Sequence, residues 1–355
     1  MIFKNLLPRW LFQDFFLNWE LEEWQEIYRN QTGLLSIHYR GASKLLPQVV
    51  VFDNTIEKLG LEQVKFRLNH GKFYLDTNLE TERIFKLYKN FIWLNKRKLF
   101  NEVCLRLVSV KLQKTSKYSK SVLFETQEAD YFDYIQTNLC LDAQLSQENI
   151  SLRKQLHIEQ NDHCLEELNN SRLANILGIN ILILTSDGTL IFQKRSSRTL
   201  VRPNQICSSV SGTLAKVDIP EYDKEFNLKD LLPLFFREMV EEIGLELSDI
   251  SRNEIKFLGV TRELIRGGQP EIFLAAQINL DKDKIVRIYS QALDRFESKS
   301  LLFFDIGSLA VDDLDSQDKK TAFCSKLDEL IENYDDAIAA PLWANLALWQ
   351  KVRQN

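Results

Sequence analysis

Three glutamates are the residues best suited to chemistry in this sequence. Glu238, Glu241 and Glu242 stand at i, i+3 and i+4 within Leu231–Leu245, LLPLFFREMVEEIGL. On an α-helix that spacing puts all three carboxylates on one face. Phe235, Met239 and Ile243 recur at i, i+4 and i+8 on another face and would anchor the helix in a core. Pro233 suits the first turn of such a helix and Gly244 its end. Three carboxylates on one turn repel each other unless something neutralises them. Arg237 can neutralise one. Hard oxygen ligands at this density suit a divalent cation, Mg²⁺ or Mn²⁺, of the kind that bridges substrate phosphates. The same spacing also describes a solvated acidic face, so the surrounding elements must decide.

Upstream, Asn180–Thr185 is an apolar run, Asp187-Gly188 a turn and Thr189–Gln193 a second strand, which together predict a hairpin. It ends in a cationic loop, Lys194-Arg195-Ser196-Ser197-Arg198, suited to binding phosphate oxygens. Ser208–Thr213 follows as a small-residue loop containing Gly212. Beyond the helix, Ile255–Thr261 and Glu271–Ile278 read as strands separated by Arg266-Gly267-Gly268-Gln269-Pro270, and Ala339-Ala340-Pro341-Leu342 opens a final helix.

Arg237-Glu238-Met239-Val240-Glu241-Glu242-Ile243-Gly244-Leu245 resembles the second half of the Nudix box, R-E-U-x-E-E-x-G-U, where U is a bulky apolar residue. Every defined letter is met, with Met239 and Leu245 at the two U positions. The order of elements around it also resembles a Nudix fold. The first half of the box departs from the pattern. Asp223 stands where the glycine belongs and Lys229 where the upstream glutamate belongs. Gly212 is the best glycine, which implies an inserted surface loop near Asp218–Asp230; Glu221 and Glu225 are weak stand-ins for the missing glutamate. The resemblance implies that Glu238, Glu241 and Glu242 ligate Mg²⁺ or Mn²⁺, that Arg237 orients a glutamate, and that Gly212 gives the loop a tight turn beside the helix. Lys194, Arg195 and Arg198 would bind the nonreacting phosphate, with Arg262 and Arg266 as second-rank candidates. The base that activates water is open among Glu271, Glu297 and Asp305.

The resemblance covers residues 172–355. The expected fold is therefore α+β: a C-terminal Nudix-like α/β/α sandwich with a mixed sheet, preceded by a smaller α+β domain over residues 1–130 and a connecting segment over 131–171. In the N-terminal part, Leu34–Arg40, Gln48–Ile56 and Val103–Leu112 read as strands. Val64–Leu68 and Lys72–Leu75 read as a hairpin about Asn69-His70-Gly71. Glu80–Asn95 and Cys164–Leu177 read as helices, and Lys111–Lys120 as a basic connector. The first forty residues carry bulky apolar side chains at helical spacing, from Ile2 to Trp24, and read as short packed helices.

Composition removes other classes. The chain of 355 residues has 45 Lys and Arg against 50 Asp and Glu, a net charge of −5, which argues against a strongly basic nucleic-acid coat. No basic stripe interleaved with aromatics is present, so nucleic-acid recognition ranks last. Five isolated cysteines suit reduced thiols in the cytoplasm better than a disulfide framework. His38, His70, His157 and His163 have no zinc-ligand spacing with them. No apolar run reaches membrane-spanning length and no signal peptide is evident. The expected partner is a small nucleoside diphosphate derivative, with homodimerisation left open.

Three functions follow from this reading. The first is Mg²⁺-dependent hydrolysis of a diphosphate linkage. The second is a nucleotide-sensing regulatory module that does not hydrolyse. The third is isomerisation of a prenyl diphosphate, which needs a reactive cysteine beside a glutamate, with Cys207 the nearest candidate. Phe303, Phe304, Trp343 and Trp349 could stack on a base but read more naturally as core.

Overall fold

The computed structural model describes residues 23–76, 81–82, 85–86, 89, 100–114, 120–143, 150–160, 162–197, 199, 201–218, 221–290, 298–307, 317–334 and 337–354. The expected helices before Trp24 and over Glu80–Asn95 lie largely outside these residues, as do Arg198 and Glu297.

In chain order the strands are β1 (Leu34–Tyr39), β2 (Ala42–Asp53), β3 (Val64–Lys72), β4 (Val103–Lys114), β5 (Lys120–Asp130), β6 (Gly178–Leu184), β7 (Thr189–Arg195), β8 (Ile206–Cys207), β9 (Val210–Thr213), β10 (Glu225–Asn227), β11 (Ile250–Glu263), β12 (Gln269–Ile278) and β13 (Ser298–Asp305). The helices are α1 (Trp24–Ile27), α2 (Asn54–Glu57), α3 (Tyr131–Tyr134), α4 (Leu152–Gln160), α5 (Leu228–Glu242), α6 (Lys282–Tyr289), α7 (Gln317–Tyr334) and α8 (Ala340–Gln354).

The larger sheet runs β1-β2-β11-β12-β6-β7-β13, with β8 beside β7 and β9 beside β6. Its β12–β6 pair is parallel and its other pairs are antiparallel. The smaller sheet runs β10-β3-β5-β4, with β3 and β5 parallel. The protein is thus α+β with two mixed sheets. Strand β6 is buried on both faces, as its unbroken apolar run requires. Ile179, Ile181 and Ile183 enter a core shared with the smaller sheet and α5. Leu182 and Leu184 enter a second core under α7 and α8.

Both sheets draw strands from both sides of the expected domain boundary. β2 pairs with β11, so residues 42–53 extend the larger sheet. β10 pairs with β3, so the segment expected as an inserted surface loop is instead a clasp on the N-terminal sheet. Backbone bonds from Leu105 N to Leu214 O (2.9 Å) and from Leu177 N to Leu105 O (2.7 Å) stitch β4 to the ends of β9 and β6. A strand edge buries its polar groups only if something pairs with them, and here each half of the chain supplies pairing for the other.

Several local expectations hold. The Asp187-Gly188 turn joins β6 to β7. Gly188 has φ +80°, and a Cβ there would lie 2.2 Å from Gly307 O, so the position excludes a side chain. Gly244, at φ +84°, ends the glutamate helix, and its N–H donates to Met239 O and Val240 O. Three expectations fail. Asn69-His70-Gly71 is not a hairpin turn. β3 runs through it and the register against β5 shifts between Leu68 and Lys72, so the turn signal is a bulge. The Lys111–Lys120 connector is not a loop at its ends, since Lys111 lies within β4 opposite Leu123 and ion-pairs with Glu125. Cys164–Leu177 is not a helix. Its carbonyls at Leu168 and Ser171 accept from the buried Arg106 guanidinium at 3.1 and 2.7 Å, and Asn175 is left-handed at φ +43°. Tertiary hydrogen bonds there outbid the helical ladder.

Among the described residues no helix is long and apolar enough to cross a membrane. All five cysteines are free.

Candidate active-site cleft

The glutamate helix α5 begins five residues before Pro233, at Leu228. Asn227 and Asp230 form a capping box, with Asn227 N donating to Asp230 Oδ2 at 3.2 Å. Leu228, Leu231 and Leu232 bury in the core and fix the first turns, so Pro233 falls inside the helix rather than in its first turn. Met239 and Ile243 are fully buried, as their spacing requires. The side chains of Phe235 and Glu238 lie outside the described residues.

This packing leaves Glu242 buried in the wall of a cleft of about 240 Å³ where β6 and β12 begin and β7 and β9 end. Its lining includes Arg195 from β7, Gly212 from β9, Asn180 from β6, Glu271 and Gln269 from β12, Arg266 from the β11–β12 turn, Arg202 from the β7–β8 loop, and Tyr131 and Tyr134 from α3. Gln193 Nε2 donates to Glu242 Oε2 at 2.9 Å and to Ser209 O at 2.8 Å. Strand alternation explains why Arg195 lines this cleft and Gln193 reaches Glu242 on the same face of β7, while Lys194 lines a separate depression beside Leu302 and Glu332.

A buried carboxylate pair, Glu263 and Glu271, stands in the same region. Arg202 hydrogen-bonds Glu263 and stands 3.9 Å from Glu271, and all three are nearly excluded from solvent. Burial works against the Arg202 charge, but Glu263 and Glu271 more than restore it. Glu271 is held above the usual carboxylate range, first by burial and then by the Glu263 carboxylate, against the pull of Arg202 and Arg266. Arg202 spends its closest contact on Glu263, which leaves Glu271 the less compensated acid. Asn180 Nδ2 donates to Glu271 Oε2 at 3.2 Å. Arg266 Nη1 donates to Tyr134 Oη (2.5 Å) and Gln269 Oε1 (2.9 Å), and Tyr134 Oη donates to the same Gln269 oxygen at 2.7 Å. Burial pushes the Cys207 thiol up, with the nearby arginines pulling the other way.

The structure gathers part of the expected set. Glu242, Arg195, Gly212, Arg266 and Glu271 meet in the cleft. Glu241 is half-buried on the helix and Arg237 is exposed; neither lines the cleft. Gly212 makes no turn: it lies within β9, paired with Ile179 of β6. Glu221 and Glu225 are engaged elsewhere, Glu221 by Lys224 and Glu225 by Lys65 and Arg67. Arg262 is a strut, donating from Nη1 to Glu166 O at 2.6 Å and from Nε to Gly268 O at 3.1 Å. Asp305 is exposed at the far end of β13, opposite Thr189. Trp343 and Trp349 on α8 and Phe304 on β13 are core side chains, and Phe303 is half-buried against the core shared with the smaller sheet. Sequence reasoning missed Arg202, Glu263, Asn180, Gln269, Tyr131 and Tyr134. Arg202 and Asn204 are both left-handed, at φ +51° and +65°, flanking Pro203, so a turn signal was readable at Arg202-Pro203-Asn204 even though its cleft contact was not.

Hard carboxylate oxygens on α5 are donors of the type that suits Mg²⁺ or Mn²⁺. Among the described residues, however, no three acidic, histidine or cysteine side chains gather closely enough to hold a cation. Glu242 is the donor in place, and a full set needs Glu238 and Glu241 as well.

No family model matches the sequence, and no curated protein matches it. A solved structure similar in part is that of DR0079 from Deinococcus radiodurans. It is 15% identical, with a TM-score of 0.25, over 45% of this chain and 82% of that chain. A likeness this low bears no argument about activity.

Proposed function

We propose that this cleft hydrolyses a diphosphate linkage in a nucleoside diphosphate derivative, as a Nudix-type pyrophosphohydrolase of the cytoplasm on a Nudix-like α/β/α scaffold. The observation that carries the reading is the meeting of Glu242, from the REMVEEIGL helix, with three arginines and a buried acid of raised proton affinity in one cleft. Arg195, Arg202 and Arg266 supply planar donors for phosphate oxygens. Glu271 is the proton acceptor for the attacking water: its raised affinity matches a base working near neutral pH, and Asn180 fixes the orientation of its carboxylate. Glu238, Glu241 and Glu242 would hold a Mg²⁺ or Mn²⁺ ion, which neutralises diphosphate charge and lowers the affinity of a bound water for its proton.

A second reading has its own support. Arg202 is already neutralised by Glu263 and Glu271, and Gln193 already occupies Glu242. A cleft so internally compensated could bind a nucleotide and signal through the shared sheets without turning it over.

The test is phosphate release from ADP-ribose, dinucleoside polyphosphates, NADH, nucleotide sugars and nucleoside triphosphates with Mg²⁺ or Mn²⁺. Wild-type protein is compared with Glu242→Gln, which keeps an oxygen for Gln193. The hydrolase reading expects metal-dependent release that falls at least ~100-fold in the variant, on the scale of losing one charge-stabilising group. Equal release from the variant overturns the mechanism. Thermal stabilisation by one ligand without release moves the assignment to the sensor.

A further inference from the structure

We infer that Gln193 is the positioning residue that aims the Glu242 carboxylate into the cleft. The inference rests on the proposed diphosphate chemistry, in which Glu242 is the acid in place, and adds how that acid is held. Strand alternation puts Gln193 on the face of β7 that also carries Ile191, toward the core shared with α5. Ile191 enters that core as an apolar side chain. Gln193 is polar and yet only 3% exposed. A buried amide must find partners. Its Nε2 donates to Glu242 Oε2 at 2.9 Å and to Ser209 O at 2.8 Å, one bond for each hydrogen. Gln193 is not part of the cleft lining, so what it contributes to the chemistry passes through Glu242.

The surrounding sheet holds this arm in place. β6 and β7 pair next to their turn, at Ile183–Ile191 and Leu184–Leu190. Farther along, β9 pairs with β6 and β8 pairs with β7, so the sheet forks. Ser208-Ser209, which joins β8 to β9, sits at the fork. Ser209 Oγ accepts from Ile183 N at 2.7 Å and donates to Ile191 O at 2.5 Å, which ties the two prongs together. The Gln193 backbone is itself set between Cys207 of β8 and Leu301 of β13. A carbonyl oxygen only accepts, so Ser209 O decides which end of the Gln193 amide carries the hydrogens. The same nitrogen then faces Glu242, where a donor suits a carboxylate oxygen. Partners of this kind hold a ligating carboxylate in one orientation, and losing one costs roughly 10- to 100-fold in metal affinity or activity.

The experiment uses full-length protein and two readouts. One is the affinity for Mn²⁺ alone, measured by titration. The other is phosphate release from whichever compound of the panel above the wild type hydrolyses. Gln193→Met keeps the length of the side chain and removes both donors. It should lower kcat roughly 10- to 100-fold and weaken Mn²⁺ binding by a similar factor. KM should move less than about 3-fold, because the arginines that bind phosphate are not bonded by Gln193. In a Glu242→Gln background the same change should add less than about 2-fold, since two residues acting as one unit are not additive. A residue that only supports the fold would add its full effect in both backgrounds. If Gln193→Met does not fold, Gln193→Asn takes its place: it keeps the amide, lacks the reach, and should show the same losses. Turnover and Mn²⁺ affinity both within about 3-fold of wild type overturn the inference and leave the diphosphate reading intact. Additive losses, or a change confined to KM, also overturn it. Wild-type protein that binds Mn²⁺ and hydrolyses nothing overturns the hydrolase reading alone, and Mn²⁺ affinity in the variants then decides the inference. Wild-type protein that does neither overturns both.

Discussion

Two charge networks, one on the smaller sheet and one in the cleft, use the same residue types and behave oppositely. On the smaller sheet, Lys65 and Arg67 grip Glu225, and Arg67, Lys111 and Ser109 surround Glu125. The side chains of Lys65, Arg67 and Glu225 are 27–32% exposed. In the cleft, Arg202 holds Glu263 and Glu271 with side-chain exposures of 9, 1 and 4%. Water screens the first network. Its acids are stabilised as anions, Glu225 chiefly by the Lys65 hydrogen bond and Glu125 by that of Lys111, and both lie below the usual carboxylate range. In the second, removal of water dominates, and one arginine shared between two acids leaves Glu271 above that range. Burial rather than residue identity decides whether an acid beside an arginine becomes a structural anion or a proton acceptor.

The comparison breaks most readily at its buried end. Arg202→Met leaves Glu263 and Glu271 buried without their cation and should cost about 3–5 kcal/mol in urea unfolding. Adding Glu263→Gln should recover much of that loss. A cost below about 1 kcal/mol for the single variant would place the network in a far wetter setting than its exposures indicate.

Glu271 gives the next effect, and its sign opposes ordinary acid denaturation. Its folded form binds a proton more tightly than the unfolded chain. Its contribution to stability therefore falls as pH rises from the unfolded value, about 4.3, through its raised folded value. Glu271→Gln should remove that fall and stabilise the protein at pH 8 relative to pH 4 by more than about 1 kcal/mol. Unfolding midpoints across this range, with the same slope in variant and wild type, would refute it. Glu225 and Glu125 have depressed values, so their contribution is present above about pH 4.3 and is lost as pH falls through their folded values.

The smallest effect belongs to the exposed network. Arg67→Met should cost less than about 1 kcal/mol, and the cost should shrink in 1 M NaCl because water and salt screen the pair. A loss as large as that of Arg202→Met would erase the distinction between the two networks.

Local chemistry made much of the scaffold readable. Asp187-Gly188 announced the β6–β7 hairpin because the turn needs a left-handed residue, and Gly188 takes φ +80°. Met239 and Ile243 announced the buried face of α5, and Gly244 its end. The apolar run of β6 announced a strand buried on both sides. Where distant groups competed for the same backbone atoms, the local signal misled. Arg106 took the carbonyls that a helix over Cys164–Leu177 would have used. The pairing of β3 with β5 and β10 turned Asn69-His70-Gly71 from a turn into a bulge and the segment before α5 from a loop into a clasp.

The sequence alone determined the β6–β7 hairpin, the buried run of β6 and the glutamate-bearing helix that follows a cationic strand end, because these depend on side-chain periodicity, turn chemistry and capping within a few residues. Tertiary structure alone decided that Arg195 faces the cleft and Lys194 does not, that Arg202 and Tyr131 join Glu242 there, and that Glu271 rather than Asp305 stands beside it. Those outcomes depend on strand register, on the joining of both halves of the chain through shared sheets, and on the exclusion of water, none of which any short stretch of sequence carries.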